Sequence, residues 1–125
     1  MTKLSARDYK QAWLTVWNTL ADRLEWMSEY PFDHAIINPF TGKPGRHRFD
    51  WALPVYMIAV EIDGGQWLPH GGRHGSDIDR QKLDIATALG WRVFRFSVQM
   101  LSEHPGVCVS LVKQAIQLPP CPLQG

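Results

Sequence analysis

Two apolar segments on either side of one well-marked helix constrain this chain more than any other feature. "YMIAVEID" (56–63) and "WRVFRFS" (91–97) have the length and the β-branched and aromatic content of buried strands. Between them, "DIDRQKLDIATALG" (77–90) reads as a helix closed by Gly90 at its C-terminal end. A strand, a helix and a strand in that order favour a right-handed parallel crossover. The expected class is therefore α/β, with at least one parallel pairing in the sheet.

The flanking segments extend this plan. Ser5 opens an amphipathic helix, with Asp8 three residues on as in a capping box. Tyr9, Trp13, Val16, Trp17, Leu20 and Leu24 recur at helical spacing, and Pro31 places the helix end near Met27. "FDHAII" (32–37) reads as a strand, "NPFTGKPG" (38–45) as turns, and "RHRFDWAL" (46–53) as a second strand. Pro54 marks a tight connection into 56–63, so the first three strands form an antiparallel meander. From Gly64 to Ser76 the chain is glycine-rich, basic and without period, as expected of a surface loop. Pro105 starts a last helix in which Cys108, Leu111, Val112 and Ala115 share a face. The expected order is α-β-β-β-α-β-α: one domain, core about 5–117, with an irregular tail over 118–125 and no internal repeat or linker.

At 125 residues the chain is long enough for one substantial core. No apolar stretch approaches the roughly 20 residues of a membrane span, and "MTKLSARDYK" lacks the apolar region of a signal peptide. A membrane partner is not expected. Cys108 and Cys121 have no zinc-site spacing and suit a reducing cytoplasm. A net charge of +1 does not decide for or against nucleic acid. Its distribution says more: Arg46, His47 and Arg48 cluster, as do Arg73 with His74, Arg80 with Lys82, and Arg92 with Arg95. Such clusters around an acidic site attract a polyanion.

The acids lie on two neighbouring strands. Alternation puts Glu61 and Asp63 on one face of their strand, with Ile58, Val60 and Ile62 on the other. In the preceding strand it puts Phe49 and Trp51 on one face and Asp50 on the opposite one. If Asp50 shares the face of Glu61, three carboxylates converge. Two such charges about 5 Å apart repel by roughly 3 kcal/mol at an effective dielectric near 20. They must spread into solvent, take up a proton or share a cation. Oxygen ligands without cysteine favour magnesium or manganese. The simpler alternative is a pair of solvated acids ending in a Gly64–Gly65 turn.

The helix over 77–90 carries a lysine among its apolar positions. With Ile78 at zero on a helical wheel, Ile85 and Leu89 fall within roughly 20°, and Lys82 at about 40°. Asp79 lies at the edge of the stripe, near 100°. A lysine there either snorkels to water or finds a buried partner. In the second case Lys82 supplies the positive charge missing beside Glu61 and Asp63.

A strand aspartate followed by a strand glutamate resembles the PD-(D/E)xK nuclease superfamily. The fuller pattern "RHRFDWALP…AVEIDGGQW…GGRHGSDIDRQKLDIATALGWRVFRFS", over about residues 46–97, is similar to the branch of very short patch repair endonucleases and small phage and prophage nucleases. The resemblance implies a restriction-endonuclease-like mixed sheet flanked by helices. It implies a Mg2+-dependent hydrolase acting on DNA, with Mn2+ as substitute, in a host bacterial cytoplasm. Asp50 and Glu61 would be metal ligands, joined by the Ile62 backbone carbonyl. Where the superfamily places its lysine, this chain has Asp63. Some members carry the lysine on the following helix, which assigns the role to Lys82. Asp63 is then a further ligand or a partner for Lys82. The first helix of the superfamily sometimes adds an acid, for which Glu25 and Glu29 are the candidates. Arg73 and His74 are candidates for phosphate contact, Arg46, Arg48 and Arg80 for nucleic-acid binding, and Gln66 is a weaker candidate.

The leading expectation is a DNA endonuclease of repair or recombination. Within it a mismatch nickase, a less selective nuclease and a branched-DNA resolvase stay open; a resolvase would be a homodimer. The competing classes are a non-catalytic nucleic-acid-binding module, favoured by Asp63 at the lysine position, and a structural protein with a stabilising cation.

Overall fold

The computed structural model describes residues 6–64 and 76–120. The Ser5 cap, most of the glycine-rich loop and the end of the tail lie outside them. The first helix, α1 (Ala6–Leu20), stops well short of Met27. The indole N–H of Trp17 donates to the Asp22 carbonyl at 2.8 Å, closing the helix end. The chain then doubles back so that Trp26 meets Trp13 and Trp17 edge-on, at 5.4 Å from each. A continued helix would carry Trp26 past these rings.

The first strand follows at once as β1 (Met27–Pro31). It replaces the strand expected over 32–37, which is instead part of a loop with one isolated bridge, Ile37 to Pro44. Asp33 explains the difference. Its buried carboxylate accepts the backbone N–H of His47 at 2.8 Å and meets the His47 ring at 2.6 Å, tying the two ends of the loop together. Gly45 passes so close over Asp33 that a Cβ there would lie 2.3 Å from the Asp33 carbonyl oxygen.

Strands β2 (Arg48–Leu53) and β3 (Ile58–Asp63) are joined by a 3-10 turn at Pro54–Tyr56. Helix α2 (Asp77–Ala88) starts at a Ser76 cap and leads to β4 (Arg92–Ser97). Gly90, at φ 92°, makes the turn between them in the left-handed region. The sheet order is β1-β2-β3-β4, with the first two pairings antiparallel and β3–β4 parallel. A mixed sheet flanked by helices is therefore present, with the first strand of the meander one segment earlier than expected and the other two where expected. Two helices close the chain, α3 (Val98–Glu103) and α4 (Pro105–Gln117). α3 escapes a periodicity reading because it has only 6 residues, although Ser97 caps it and Leu101 is buried.

One face of the sheet packs on α1, α3 and α4 through the tryptophans, Ile58, Val60 and Phe96. α4 buries Cys108, Val109, Val112 and Ala115, whereas Leu111, expected on that face, is 42% exposed. The helix is rolled toward α1, where Val109 and Leu20 border one cleft. The other face packs on α2 through Phe49, Ala52, Ala59, Ala86 and Trp91. Three alanines at this contact let the helix axis come close to the strands. Ile78 is 72% exposed, so the buried stripe of α2 centres on Ile85 and Ala86. Among the described residues no helix is long and apolar enough to cross a membrane.

Gly45→Ala is expected to destabilise the fold by about 3 kcal/mol or more, because backbone has to move. Gly106→Ala in α4, where a Cβ meets nothing, is expected to be neutral or slightly stabilising. Urea unfolding of the two variants measures the difference.

Candidate functional site

The β2–β3 ladder pairs Trp51, Ala52 and Leu53 with Val60, Ala59 and Ile58, and then changes character where Asp50 meets Glu61. The Asp50 N–H donates to Glu61 Oε2 at 3.1 Å, and the Ile62 N–H donates to Asp50 Oδ2 at 2.8 Å. Each carboxylate thus accepts a backbone amide of the other strand in place of a ladder carbonyl. On the other side of Asp50, Glu29 of β1 takes a left-handed φ of 50°. Alternation breaks at this point. Phe49 faces α2 while Trp51 faces α1, so the expectation that they share a face is corrected.

The remaining carboxylate oxygens meet lysines. Lys82 Nζ donates to Glu61 Oε1. It reaches Glu61 because Ala86, one turn later in α2, sits in the same cluster as Ala59, two residues before Glu61. Its ammonium also stands 6.0 Å from the centre of the Phe49 ring. Lys10, from α1, lies 3.2 Å from Asp50 Oδ1 and 2.7 Å from Glu29 Oε1. Beside these groups opens a cleft of about 230 Å³, with Asp63, Asp79 and Arg95 also on its walls. Arg95 is in parallel register with Glu61 and donates to Asp79 Oδ2 at 2.7 Å.

Burial pushes the Glu61 carboxyl above its ordinary range; Lys82 opposes this and the Asp50 charge adds to it. Burial alone would lower the Lys10 ammonium, but Glu29 and Asp50 outweigh it and raise it. Opposite charges at close range, in a partly dry setting, hold the site together.

The other expected residues are dispersed. Asp63 is half-buried at the end of β3, opposite Ser97. Arg46 and Arg48 border a separate open cleft of about 540 Å³ with His34, and Arg48 donates to the Glu29 carbonyl at 3.1 Å. Arg80 is exposed on α2 and pairs with Asp77 at 3.0 Å. Glu25 is exposed between α1 and β1, outside the network, whereas Glu29 enters it through Lys10. Gln66, Arg73 and His74 lie outside the described residues. Sequence reasoning does not reach Lys10 or the Asp79–Arg95 pair as parts of the site. Lys10 had a signal: it precedes Trp13 by three residues and Trp17 by seven, on the buried face of α1.

Among the described residues, no group of three or more His, Cys, Asp or Glu side chains is arranged to hold a metal ion. The donors on hand are two carboxylates, Asp50 and Glu61, and the Ile62 carbonyl. A strand residue sends its N–H and C=O to the same side, so that carbonyl faces Asp50 along with the amide. This hard-oxygen set fits magnesium, which is commonly held by one or two carboxylates and completed by substrate phosphate and water. Compared with protein-family models, curated proteins and solved structures, the chain shows no significant match to any of them.

The raised Glu61 carboxyl has a defined effect on stability. Its folded pKa exceeds the unfolded value, so its contribution is complete below the ordinary glutamate pKa and is lost as pH rises through the raised one. In chelator, unfolding free energy of the wild type relative to Glu61→Gln should fall across that interval. A carboxyl-carbon NMR titration should place the Glu61 midpoint above 4.5.

Proposed function

We propose that this chain is a metal-dependent DNA endonuclease of the PD-(D/E)xK type, with a restriction-endonuclease-like fold. The observation that carries the reading is Lys82, which arrives from α2 on the carboxylate of Glu61 while Asp50 and Glu61 brace each other through backbone amides. A lysine and two acids from three elements, joined at the mouth of a polar cleft, are parts that metal-assisted phosphodiester hydrolysis can use. Asp50 and Glu61, with the Ile62 carbonyl, would hold Mg2+ or Mn2+, which when bound polarises a phosphodiester and lowers the pKa of a water. Lys82 steadies the attacking hydroxide or the charge that develops on the phosphoryl oxygens. Asp63 and Asp79 keep the cleft wall acidic, and Asp79 sets the direction of Arg95. Arg46 and Arg48, continuous with β2 on the N-terminal side of Asp50, offer a cationic track for the DNA backbone.

The second reading is a binding module without catalysis. It is favoured by Asp63 at the position of the usual lysine. The two separate in a cleavage assay on linear, mismatched and four-way DNA with Mg2+, Mn2+ or chelator. Metal-dependent cutting is expected, with Asp50→Ala, Glu61→Ala and Lys82→Ala each reduced by about a hundredfold or more. Full activity in Glu61→Ala would overturn the assignment, and DNA bound but never cut would select the binding module. Arg46→Ala and Arg48→Ala should each weaken DNA binding evenly across sequences and lower the salt slope by about one.

A further inference from the structure

The two lysines of the site occupy matching positions but are held differently. Each carboxylate has one oxygen on a backbone amide and the other on an ammonium: Asp50 Oδ1 on Lys10, Glu61 Oε1 on Lys82. Those two outer oxygens are the ones a divalent cation would take. Lys10 has a second carboxylate, Glu29, and lies nearer to it, at 2.7 Å against 3.2 Å for Asp50. Its backbone is fixed in place, because the indole N–H of Trp51, next to Asp50, donates to the Lys10 carbonyl at 2.6 Å. Glu29 is fixed too, by its left-handed backbone and by Arg48 on its carbonyl. Three elements thus converge to set one ammonium between two acids, on the wall of the acidic cleft and of a second cleft beside Glu29.

We propose that Lys10 is the resident counter-cation of Asp50, displaced onto Glu29 when a divalent ion takes Asp50 Oδ1. Without the ion, Lys10 neutralises an aspartate that is 14% exposed and stands against Glu61. With it, Lys10 would otherwise be a positive charge pressed against a cation. Glu29 removes that conflict, since the ammonium shifts to a partner it already touches and stays at the cleft mouth to meet a phosphate. Lys10 is in these terms a positioning residue for the cation site, and Glu29 acts through it. The inference rests on the reading of Asp50 and Glu61 as a cation site.

The test is Mn2+ binding to the full chain without DNA, followed by electron paramagnetic resonance and calorimetry at one fixed pH. Lys10→Met should bind Mn2+ about tenfold more tightly than the wild type, and Lys10→Gln should do the same. Glu29→Gln should weaken binding several-fold by leaving Lys10 on Asp50, yet should have little effect in the Lys10→Met background. Unchanged or weaker binding in both Lys10 variants would overturn the proposal. So would an equal loss from Glu29→Gln in both backgrounds, which marks a general field effect. If Asp50→Asn binds Mn2+ as well as the wild type, or nothing binds at all, the cation site itself falls and the inference with it.

Discussion

Everything at the site depends on the exchange between Asp50 and Glu61. Two neighbouring strands part at these residues, and each carboxylate accepts the other strand's amide instead of a carbonyl. The exchange does two things at once. It satisfies backbone donors that a broken ladder would leave unpaired, at a cost of about 1–3 kcal/mol each. It also fixes one oxygen of each acid, so that the second oxygen points in a set direction. The lysines follow from that direction. Both are long, flexible side chains whose ammonium groups are placed by where the carboxylates stand.

The fold around the exchange is asymmetric. On one face, four tryptophans and the branched residues of β3 form a core with three helices, and this side supplies most of the buried apolar surface. On the other, small residues hold a single helix close to the strands. The heavy side anchors α1, and with it Lys10, through Trp13 and Trp51. The light side brings α2 near enough for Lys82 to reach Glu61. Bulk gives rigidity on one face and small size gives approach on the other.

Much of this was legible in the residues. The crossover from β3 through α2 to β4 follows from strand, helix and glycine cap, Glu61 from strand alternation and Lys82 from helical spacing, whereas Asp50 meets Glu61 through a break in the ladder. The first strand lies one segment earlier than the sequence predicts, because "FDHAII" has the composition of a strand while Asp33, whose carboxylate ties a loop to His47 fourteen residues away, decides the outcome. Local pattern carries no record of such a closure. Alternation predicts Phe49 and Trp51 on one face because it assumes an unbroken ladder, and the break at Asp50 is a tertiary event. Lys10 escapes sequence reasoning for a different reason. Its spacing from Trp13 and Trp17 was visible, but the position of Glu29 opposite Asp50 was not, since it needs β1 in place.

The thin contact under α2 has a consequence of its own. The helix buries Ile85 and Ala86, while Ile78 is largely outside and Leu83 only partly covered, so its docking rests on few apolar groups. Segments of this kind open at a lower free energy than the global unfolding of the domain. When α2 lifts, Lys82 leaves with it, and Asp50 and Glu61 stay behind on the sheet. Where α2 opens as a unit of its own, the fraction of time that Lys82 stands on Glu61 follows the opening equilibrium of one helix. Native-state hydrogen exchange would show it directly: α2 amides exchanging at lower cost than those of β2 and β3, with equal protection as the contrary result.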